Sequence, residues 1–220
     1  MDIDLIIIDC EGTLLDSEAL RLKVLAAAFV NLGAQVPRPA IAAALPGRST
    51  RQAAAVVARM HEIALPKGFA AQCDFVLKVR AQGQVAPSAG IGRVLDMLRV
   101  PFCLMASCDP DVARALLQAS GLGALVSDLA VPDDALAPMP APDRLLDIAD
   151  RKGVDPARLL VIDDCPAAMV AGLSVGASTL LYAANAPAEA RAAWSENGTL
   201  DHWDDFPHGL MWPEASARVC

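Results

Sequence analysis

The sequence has little positive charge and lacks any long apolar run. Its 220 residues include 18 Lys and Arg against 26 Asp and Glu, which gives a net charge of −8. This balance argues against a general affinity for nucleic acid or anionic membranes, although it leaves room for a local basic pocket that binds a phosphorylated metabolite. Nothing approaches the ~18 consecutive apolar residues of a membrane-spanning helix. The first apolar run has no basic stretch before it and is broken by Asp9, so we expect neither a secretory signal nor a membrane helix there.

The sequence also lacks a CxxC pair. Its six cysteines are scattered, at positions 10, 73, 103, 108, 165 and 220. In a chain of this length, such spacing favours reduced thiols in the cytoplasm over a disulfide framework. Cys10, Cys108 and Cys165 each directly follow a polar residue at a predicted strand end. A soft-metal or redox site is one interpretation of these three, and small side chains that fill core positions are the other.

Short apolar runs alternate with helical patterns over most of the chain. The run at 5–8 is continuous and rich in β-branched residues, which is typical of a parallel strand buried on both faces. Similar runs occur at 101–106, 159–162 and 179–182, with a weaker one at 128–131. Helical patterns lie between and after them, at 111–120, 142–152, 167–175 and 187–194. This order predicts the α/β fold class, with a doubly wound, Rossmann-like parallel sheet.

Residues 17–82 interrupt this alternation. They contain three helical patterns, which begin at Ser17, at Ser49 and near Pro66, and no convincing strand. We therefore predict an α-helical cap domain at 17–82, inserted into an α/β core domain made of residues 1–16 and 83–220. The linkers between the two would lie near 14–16 and 83–88.

Four short segments place polar residues where predicted strands end. They read DCEGTLLDSE from residue 9, ASCDP from 106, APMPAPD from 137 and VIDDCPAA from 161. In open α/β sheets, ligands bind beyond the carboxyl ends of the strands. The four segments therefore predict one shared site.

These segments resemble the motifs of the haloacid dehalogenase-like (HAD) superfamily, in the branch with a helical cap inserted after the first strand. DCEGTLLDSE is similar to the family's DxDGTLxDSE, and ASCDP to its ASSxP. MPAPDRLLDIA is similar to KPxPDxxLxAA, and VIDDCPAAMVAG to a motif that begins V-[ED]-D-S. The branch includes sugar-phosphate phosphatases, phosphoglycolate phosphatase and β-phosphoglucomutase. Four motifs in this order, spread over residues 3–183, make the resemblance specific.

The resemblance implies a phosphoryl-transfer site that uses Mg²⁺. Asp9 would attack phosphorus and form an aspartyl-phosphate, and Glu11 would act as general acid and base. Mg²⁺ prefers hard oxygen ligands. The implied ligands are Asp9, the backbone carbonyl of Glu11 and Asp164, with Asp163 either as a further ligand or as a residue that contacts the ligands.

The resemblance also implies a set of residues that bind the substrate. The phosphoryl group would contact Gly12, Thr13, Ser107 and Cys108. From the cap, Arg48 in the segment GRST (47–50) would reach an anion of the substrate.

The sequence departs from the family's pattern at two positions. Glu11 stands where the family's phosphatases carry Asp; the extra methylene adds roughly 1.5 Å of reach, and a misplacement of about 1 Å can cost on the order of a hundredfold in rate. Met139 stands where the family has a lysine that neutralises the nucleophile and the phosphoryl group. Losing one such contact typically costs about 3–4 kcal/mol in the barrier. We therefore expect an impaired site, unless an arginine such as Arg48 or Arg144 replaces the lysine.

Several functions remain open at this point. The main hypothesis is a phosphatase-like enzyme, a phosphoric monoester hydrolase, that acts on a small phosphorylated metabolite. The alternative is a catalytically inactive relative that binds a phosphometabolite or a protein partner. A phosphomutase is a third hypothesis; haloacid dehalogenation is the least favoured, because it dispenses with Mg²⁺ whereas Asp163 and Asp164 suit a cation. We expect no nucleic-acid or membrane partner, and a monomer or weak dimer in the cytoplasm.

Overall fold

The computed structural model describes residues 2–130, 136–137, 139–186, 188–195 and 198–211. Within these residues, six parallel strands form one sheet. They are β1 (Leu5–Asp9), β2 (Phe102–Met105), β3 (Leu129–Ala130), β4 (Leu159–Asp163), β5 (Ser178–Tyr182) and β6 (Thr199–Leu200). Their order across the sheet is β3-β2-β1-β4-β5-β6.

The chain builds this sheet outwards from β1. It first adds β2 and β3 on one side, and then returns to place β4, β5 and β6 on the other. This doubly wound order confirms the predicted α/β fold class, and the first five strands lie where the apolar runs predicted them. β6 is missing from the sequence prediction because its two residues, Thr199 and Leu200, form no apolar run.

Residues 17–82 form four helices. They are α1 (Glu18–Asn31), α2 (Arg38–Ala44), α3 (Thr50–Met60) and α4 (Phe69–Ala81). The prediction of three helices is wrong, because α2 has only seven residues, too few for a periodic apolar pattern. Ser17 precedes α1 as predicted, but its side chain makes no capping hydrogen bond. At α3, by contrast, Ser49 accepts a hydrogen bond from the backbone N–H of Gln52, whose side chain accepts one from the N–H of Ser49. This reciprocal pair stabilises the predicted start of α3.

The two predicted linkers run side by side. The backbone N–H of Asp16 donates to the carbonyl of Ala86 at 3.0 Å, and the N–H of Ser88 donates to the carbonyl of Leu14 at 2.9 Å. The chain therefore enters and leaves the helical insert at one place. The division into a core domain (1–16 and 83–220) and a cap domain (17–82) stays a prediction, and residues 212–220 lie outside the described part of the chain.

Helices cover both faces of the sheet. They are α5 (Ile91–Met97), α6 (Pro110–Ala119), α7 (Asp143–Lys152), α8 (Pro166–Ser174) and α9 (Ala188–Trp194). α5, which the sequence prediction lacks, and α6 pack on the face that carries Ile6 and Ile8. α7, α8 and α9 pack on the opposite face, which carries Leu5 and Ile7. Successive residues of β1 thus enter two apolar layers, which explains why its apolar run is continuous.

Among the helices of the described residues, none combines the length and the apolar character needed to cross a bilayer.

Candidate active site

The carboxyl ends of β1, β2 and β4 meet where the sheet changes direction. β1 lies between β2 and β4, and strand pairing aligns Asp9 with Met105 of β2 and Ile8 with Ile162 of β4. The polar residues that end or follow these strands therefore lie at one edge of the sheet. In doubly wound sheets, this switch point is where ligands bind.

Three buried carboxylates lie together at this edge. Asp9, Asp163 and Asp164 each offer one oxygen, and the three oxygens lie within 4.8 Å of one another. None of the three residues is more than 6% exposed. Carboxylate oxygens are the ligands that hard cations such as Mg²⁺ take in proteins. The sequence predicted these three residues as metal ligands, and the structure brings them together in a group that could hold one ion.

Burial disfavours the charged forms of these acids. It raises the pKa of Asp9 well above its usual range, and the neighbouring Asp163 raises it further. Burial and Asp163 likewise raise the pKa of Asp164 well above its usual range. Burial also raises the pKa of Asp163, to about 7, although a hydrogen bond from the backbone N–H of Cys165 and the charge of Arg144 oppose the rise. A bound cation would reverse these shifts, because it favours ionised carboxylates.

Glu11 turns its carboxylate towards the end of β2. Its Oε2 accepts a hydrogen bond from the backbone N–H of Ser107 at 3.0 Å, and its Oε1 accepts one from the N–H of Cys108 at 2.8 Å. Glu11 is buried; its bond with Cys108 is buried as well, and its bond with Ser107 is partly buried. Successive backbone N–H groups make an anion-binding concavity; we call the N–H groups of Ser107 and Cys108 the amide pair. The predicted phosphate contacts of Ser107 and Cys108 stay predictions, and here their amide pair binds a carboxylate of the protein itself.

The turn after β1 brings Gly12 against the carboxylate cluster. Gly12 has a φ of +90°, and a Cβ at this position would lie 2.3 Å from Oδ2 of Asp164. Both its backbone conformation and the available space therefore require glycine. Beside it, the hydroxyl of Thr13 is buried and has no hydrogen-bond partner among the described residues. Because an unpaired buried hydroxyl is costly, this group suits a ligand.

Two residues that the sequence analysis missed hold this turn in place. Asn185, which follows β5, donates from Nδ2 to the carbonyl of Gly12 at 2.6 Å. Trp203 donates from Nε1 to the carbonyl of Thr13 at 3.2 Å, and its ring stacks on Tyr182. Asn185 lies just beyond a strand end, so the reasoning used for the other motifs could have found it. No sequence pattern marks Trp203.

The loop before α3 lies against Cys165, the residue that follows Asp164. A Cβ on Gly47 would lie 2.9 Å from Sγ of Cys165, so the loop backbone contacts the segment after β4. Arg48 turns back on its own loop, where Nη1 donates to the carbonyls of Ala44 and Pro46 at 3.4 Å each. The contact of Arg48 with a substrate anion stays a prediction.

A buried arginine of α1, also missed in the sequence, holds this loop. Arg21 is 2% exposed; its Nη1 pairs with Oε1 of Glu18 at 2.5 Å, and its Nη2 donates to the carbonyl of Arg48 at 2.6 Å. Burial opposes its charge, but Glu18 and Glu11 outweigh burial and raise the pKa of Arg21. A charged residue among the apolar positions of α1 is the signal that could have revealed it.

Met139 and Arg144, both in the third motif, lie in different environments. Met139 is half-buried and packs against the apolar layer that includes α7 and α8. Arg144, in the first turn of α7, donates from Nη2 to the carbonyl of Ala106 at 2.6 Å, just beyond the end of β2. Residues 131–135 and 138 of the loop predicted at 131–143 lie outside the described residues.

The three cysteines next to the motifs are buried and free. Burial raises the pKa of Cys10, Cys108 and Cys165, to about 11 for Cys165, so the thiols stay protonated at neutral pH. In the part of the chain that the structure describes, the group of potential metal ligands contains no cysteine. These observations favour small core side chains over a soft-metal site.

The sequence matches the family model described as haloacid dehalogenase-like hydrolase over residues 3–176. No curated protein matches it. A predicted phosphoglycolate phosphatase from Haemophilus somnus is 16% identical, with a TM-score of 0.79 over 93% of this chain and 96% of that chain. A HAD family hydrolase from Deinococcus radiodurans with bound phosphate and sodium is 23% identical, with a TM-score of 0.71 over 96% and 99% of the two chains. CbbY from Rhodobacter sphaeroides in complex with phosphate is 18% identical, with a TM-score of 0.77 over 94% and 99%. The three structures share the fold, and the family model, which spans most of the sequence, shows that this chain belongs to the haloacid dehalogenase-like hydrolases.

Proposed function

We propose that this protein is a Mg²⁺-dependent phosphatase that acts on a small phosphorylated metabolite. The observation that carries the proposal is the buried cluster of Asp9, Asp163 and Asp164, with the amide pair next to it. Carboxylates buried this deeply are costly unless they are paired or bind a cation. The family model that matches the chain is described as a hydrolase, and two of the structures that share the fold hold phosphate.

The donor set of the cluster fits Mg²⁺. Asp9, Asp163, Asp164 and the backbone carbonyl of Glu11 would hold the ion, and all four are hard oxygen donors. When bound, Mg²⁺ would neutralise negative charge on the phosphoryl group and on the carboxylates.

Asp9 is the nucleophile of the proposed reaction. One of its oxygens forms a bond to phosphorus while the bond between phosphorus and the ester oxygen breaks, and the leaving alcohol takes a proton from Glu11. Water then attacks the phosphorus of the aspartyl-phosphate, gives a proton to Glu11 and releases inorganic phosphate. Asp9 is again a carboxylate at the end of each turnover.

The phosphoryl oxygens would accept hydrogen bonds from the hydroxyl of Thr13, from Ser107 and from the N–H of Cys108. Glu11 must then leave the amide pair, both to release it and to reach the ester oxygen. The loop that carries Arg48 would cover the substrate and exclude water.

Hydrolysis of p-nitrophenyl phosphate and of a panel of sugar phosphates tests this proposal. We expect Mg²⁺-dependent phosphate release by the wild type, none above background by Asp9→Asn, and wild-type rates for Asp111→Asn, an exposed acid on α6. Hydrolysis that survives Asp9→Asn would show that another group is the nucleophile. A wild type that binds Mg²⁺ but releases phosphate from no ester would contradict the phosphatase function.

The position of Glu11 favours a second candidate function, in which the protein binds a phosphometabolite or a protein partner without turnover. An anion reaches the amide pair only by displacing Glu11, and Met139 leaves the third motif without its lysine. This function predicts binding of inorganic phosphate with no Mg²⁺-dependent hydrolysis. Turnover above about 1 s⁻¹, within the usual enzyme range, would exclude it.

A cytoplasmic location and a monomeric or weakly dimeric state belong to the same proposal. The five cysteines in the described residues are all free, which is typical of a reducing compartment. Size-exclusion chromatography at several concentrations tests the oligomeric state.

A further inference from the structure

We propose that Arg144 supplies the positive charge that the third motif lacks at Met139, and that this charge acts on the phosphoryl group bound beside Asp9. The inference rests on the proposed phosphatase function and names a residue that would make it work.

The site has an excess of negative charge. Asp9, Glu11, Asp163 and Asp164 are all buried, and a phosphoryl group adds up to about two further negative charges. A single Mg²⁺ leaves most of this charge unbalanced. Since buried unpaired charge is strongly unfavourable, a cation from the protein is needed close to the phosphoryl group.

No lysine meets this need. The sequence has four lysines, all of them described and all exposed: Lys23, Lys67, Lys78 and Lys152. Lys152 is the last residue of α7, at the opposite end of that helix from Arg144. The other three lie in or between the helices of the insert.

Among the described arginines, four are at least half-buried, and the hydrogen bonds and ion pairs of three of them go to segments other than the end of β2. Arg21 pairs with Glu18 and binds the carbonyl of Arg48. Arg48 donates to carbonyls of its own loop. Arg158 pairs with Asp4, which precedes β1 and so lies at the opposite edge of the sheet. Arg144 remains.

The guanidinium of Arg144 lies next to the components of the site. Its Nη2 is 2.6 Å from the carbonyl oxygen of Ala106, and the next residue is Ser107, whose N–H belongs to the amide pair. A guanidinium has five N–H donors. Among the described residues, the bond to Ala106 uses one of these donors, and the proposal assigns others to a phosphoryl oxygen.

Met139 takes no part in this charge balance. Its side chain packs with the apolar layer on the α7 side of the sheet. In this proposal the charge comes from a position five residues later in the chain, in the first turn of α7 instead of the loop.

Substitutions at Arg144 separate its charge from its hydrogen bond. Arg144→Gln keeps an N–H donor for the carbonyl of Ala106 but removes the charge, whereas Arg144→Lys keeps the charge. With p-nitrophenyl phosphate and Mg²⁺, we expect Arg144→Gln to lose about 100- to 1,000-fold in kcat/KM, and Arg144→Lys to lose about tenfold or less. Arg151→Gln, at an exposed position of the same helix, should match the wild type. Binding of inorganic phosphate, measured by calorimetry with Mg²⁺ present, should weaken in the same order.

A rescue experiment excludes a purely structural role. Met139→Lys returns a charge to the loop but does not restore the bond to Ala106. The double variant Met139→Lys/Arg144→Gln should have a kcat/KM at least about tenfold higher than that of Arg144→Gln, because a charge at either position serves the same function. Denaturant unfolding checks that every variant folds. Arg144→Met is a second variant without the charge, and it replaces Arg144→Gln if that variant does not fold.

The outcomes distinguish the inference from the proposed function. Wild-type hydrolysis and phosphate binding in both charge-free variants would overturn the role of Arg144 while leaving the phosphatase in place. Loss of activity without rescue by Met139→Lys would show that Arg144 only holds the end of β2, and would also overturn it. A wild type that neither hydrolyses phosphate esters nor binds phosphate would overturn the function and the inference together.

Discussion

At the scale of single residues, the side chain at position 11 controls access to the amide pair. The carboxylate of Glu11 binds both N–H groups, at 3.0 and 2.8 Å, and its charge repels an entering phosphate. We expect Glu11→Ala to bind inorganic phosphate about tenfold more tightly or better, a gain of about 1.4 kcal/mol. The same change should lower turnover on the order of a hundredfold or more, because it removes the proposed general acid and base.

Calorimetry and steady-state kinetics on the same variant measure these opposite effects. Glu11→Gln is the matched control, since it keeps the length of the side chain and an oxygen that can accept from one N–H. Its phosphate affinity should lie between those of Glu11→Ala and the wild type. If Glu11→Ala binds phosphate no better than the wild type, the amide pair is not the phosphate site.

The sequence is sufficient to place some of these residues and not others. Asp9, Ser107 and Asp164 follow from geometry alone, because parallel strands bring their carboxyl ends to one edge of a sheet. The direction that a side chain takes beyond the strand depends on neighbouring loops. For this reason, the bond from Glu11 to the amide pair and the bond from Arg144 to Ala106 are visible only in the structure.

At the scale of elements, the segment after β6 holds the turn that follows β1. Trp203 is fully buried, and its indole N–H donates to the carbonyl of Thr13 at 3.2 Å. Trp203→Phe keeps an aromatic ring beside Tyr182 and Phe206 but leaves that carbonyl unpaired. We expect a loss of about 1–3 kcal/mol in the free energy of unfolding, together with a lower kcat/KM because the turn carries Gly12 and Thr13, two of the proposed phosphate ligands.

Urea unfolding and kinetics test this prediction. Trp194→Phe, at the end of α9, removes an indole that packs against the other apolar layer, so it should have little effect on kcat/KM. Equal effects of the two variants on kcat/KM would show that the bond to Thr13 does not position the turn.

The elements differ in how well their patterns predict them. β1 and β4 are apolar and buried along most of their length, and α3 begins with a recognisable pair at Ser49 and Gln52, so all three could be found in the sequence. α2 and α5 have seven residues each, and β6 has two. Elements this short are fixed by packing and strand pairing rather than by their own periodicity.

At the scale of the whole molecule, the metal-free protein should be more stable at pH 5 than at pH 8. Folding raises the pKa of Asp163 to about 7, and raises those of Asp9 and Asp164 well above their usual range. At pH values between the ordinary carboxyl pKa of about 4 and the raised pKa, each of these carboxyl groups is protonated in the folded state and ionised in the unfolded state. The free energy of unfolding therefore falls as the pH rises through this window. Each pKa unit corresponds to about 1.4 kcal/mol.

Mg²⁺ should reverse this trend, because it favours the ionised carboxylates. We expect it to raise the free energy of unfolding at pH 8 and to have little effect at pH 5. Asp164→Asn should raise the metal-free stability at pH 8, since it removes one buried charge, and should reduce the effect of Mg²⁺. Urea unfolding of the wild type and of Asp164→Asn, with EDTA or with Mg²⁺ at pH 5 and pH 8, measures these free energies of unfolding. A metal-free stability that stays constant between pH 5 and pH 8 would contradict the electrostatic account of the cluster.

The central claim is that Asp9 carries the phosphoryl group during turnover, and peptide mass spectrometry tests it most directly. The protein is mixed with p-nitrophenyl phosphate and Mg²⁺, quenched in acid within a few turnovers and digested. Glu11→Gln is included because slower attack by water should let the intermediate accumulate. We predict that the peptide containing Asp9 gains the mass of one phosphoryl group in the wild type, gains it to a greater extent in Glu11→Gln, and does not gain it in Asp9→Asn. Two results would contradict the claim: hydrolysis with the phosphoryl group on a residue other than Asp9, or hydrolysis with no phosphorylated peptide in both the wild type and Glu11→Gln.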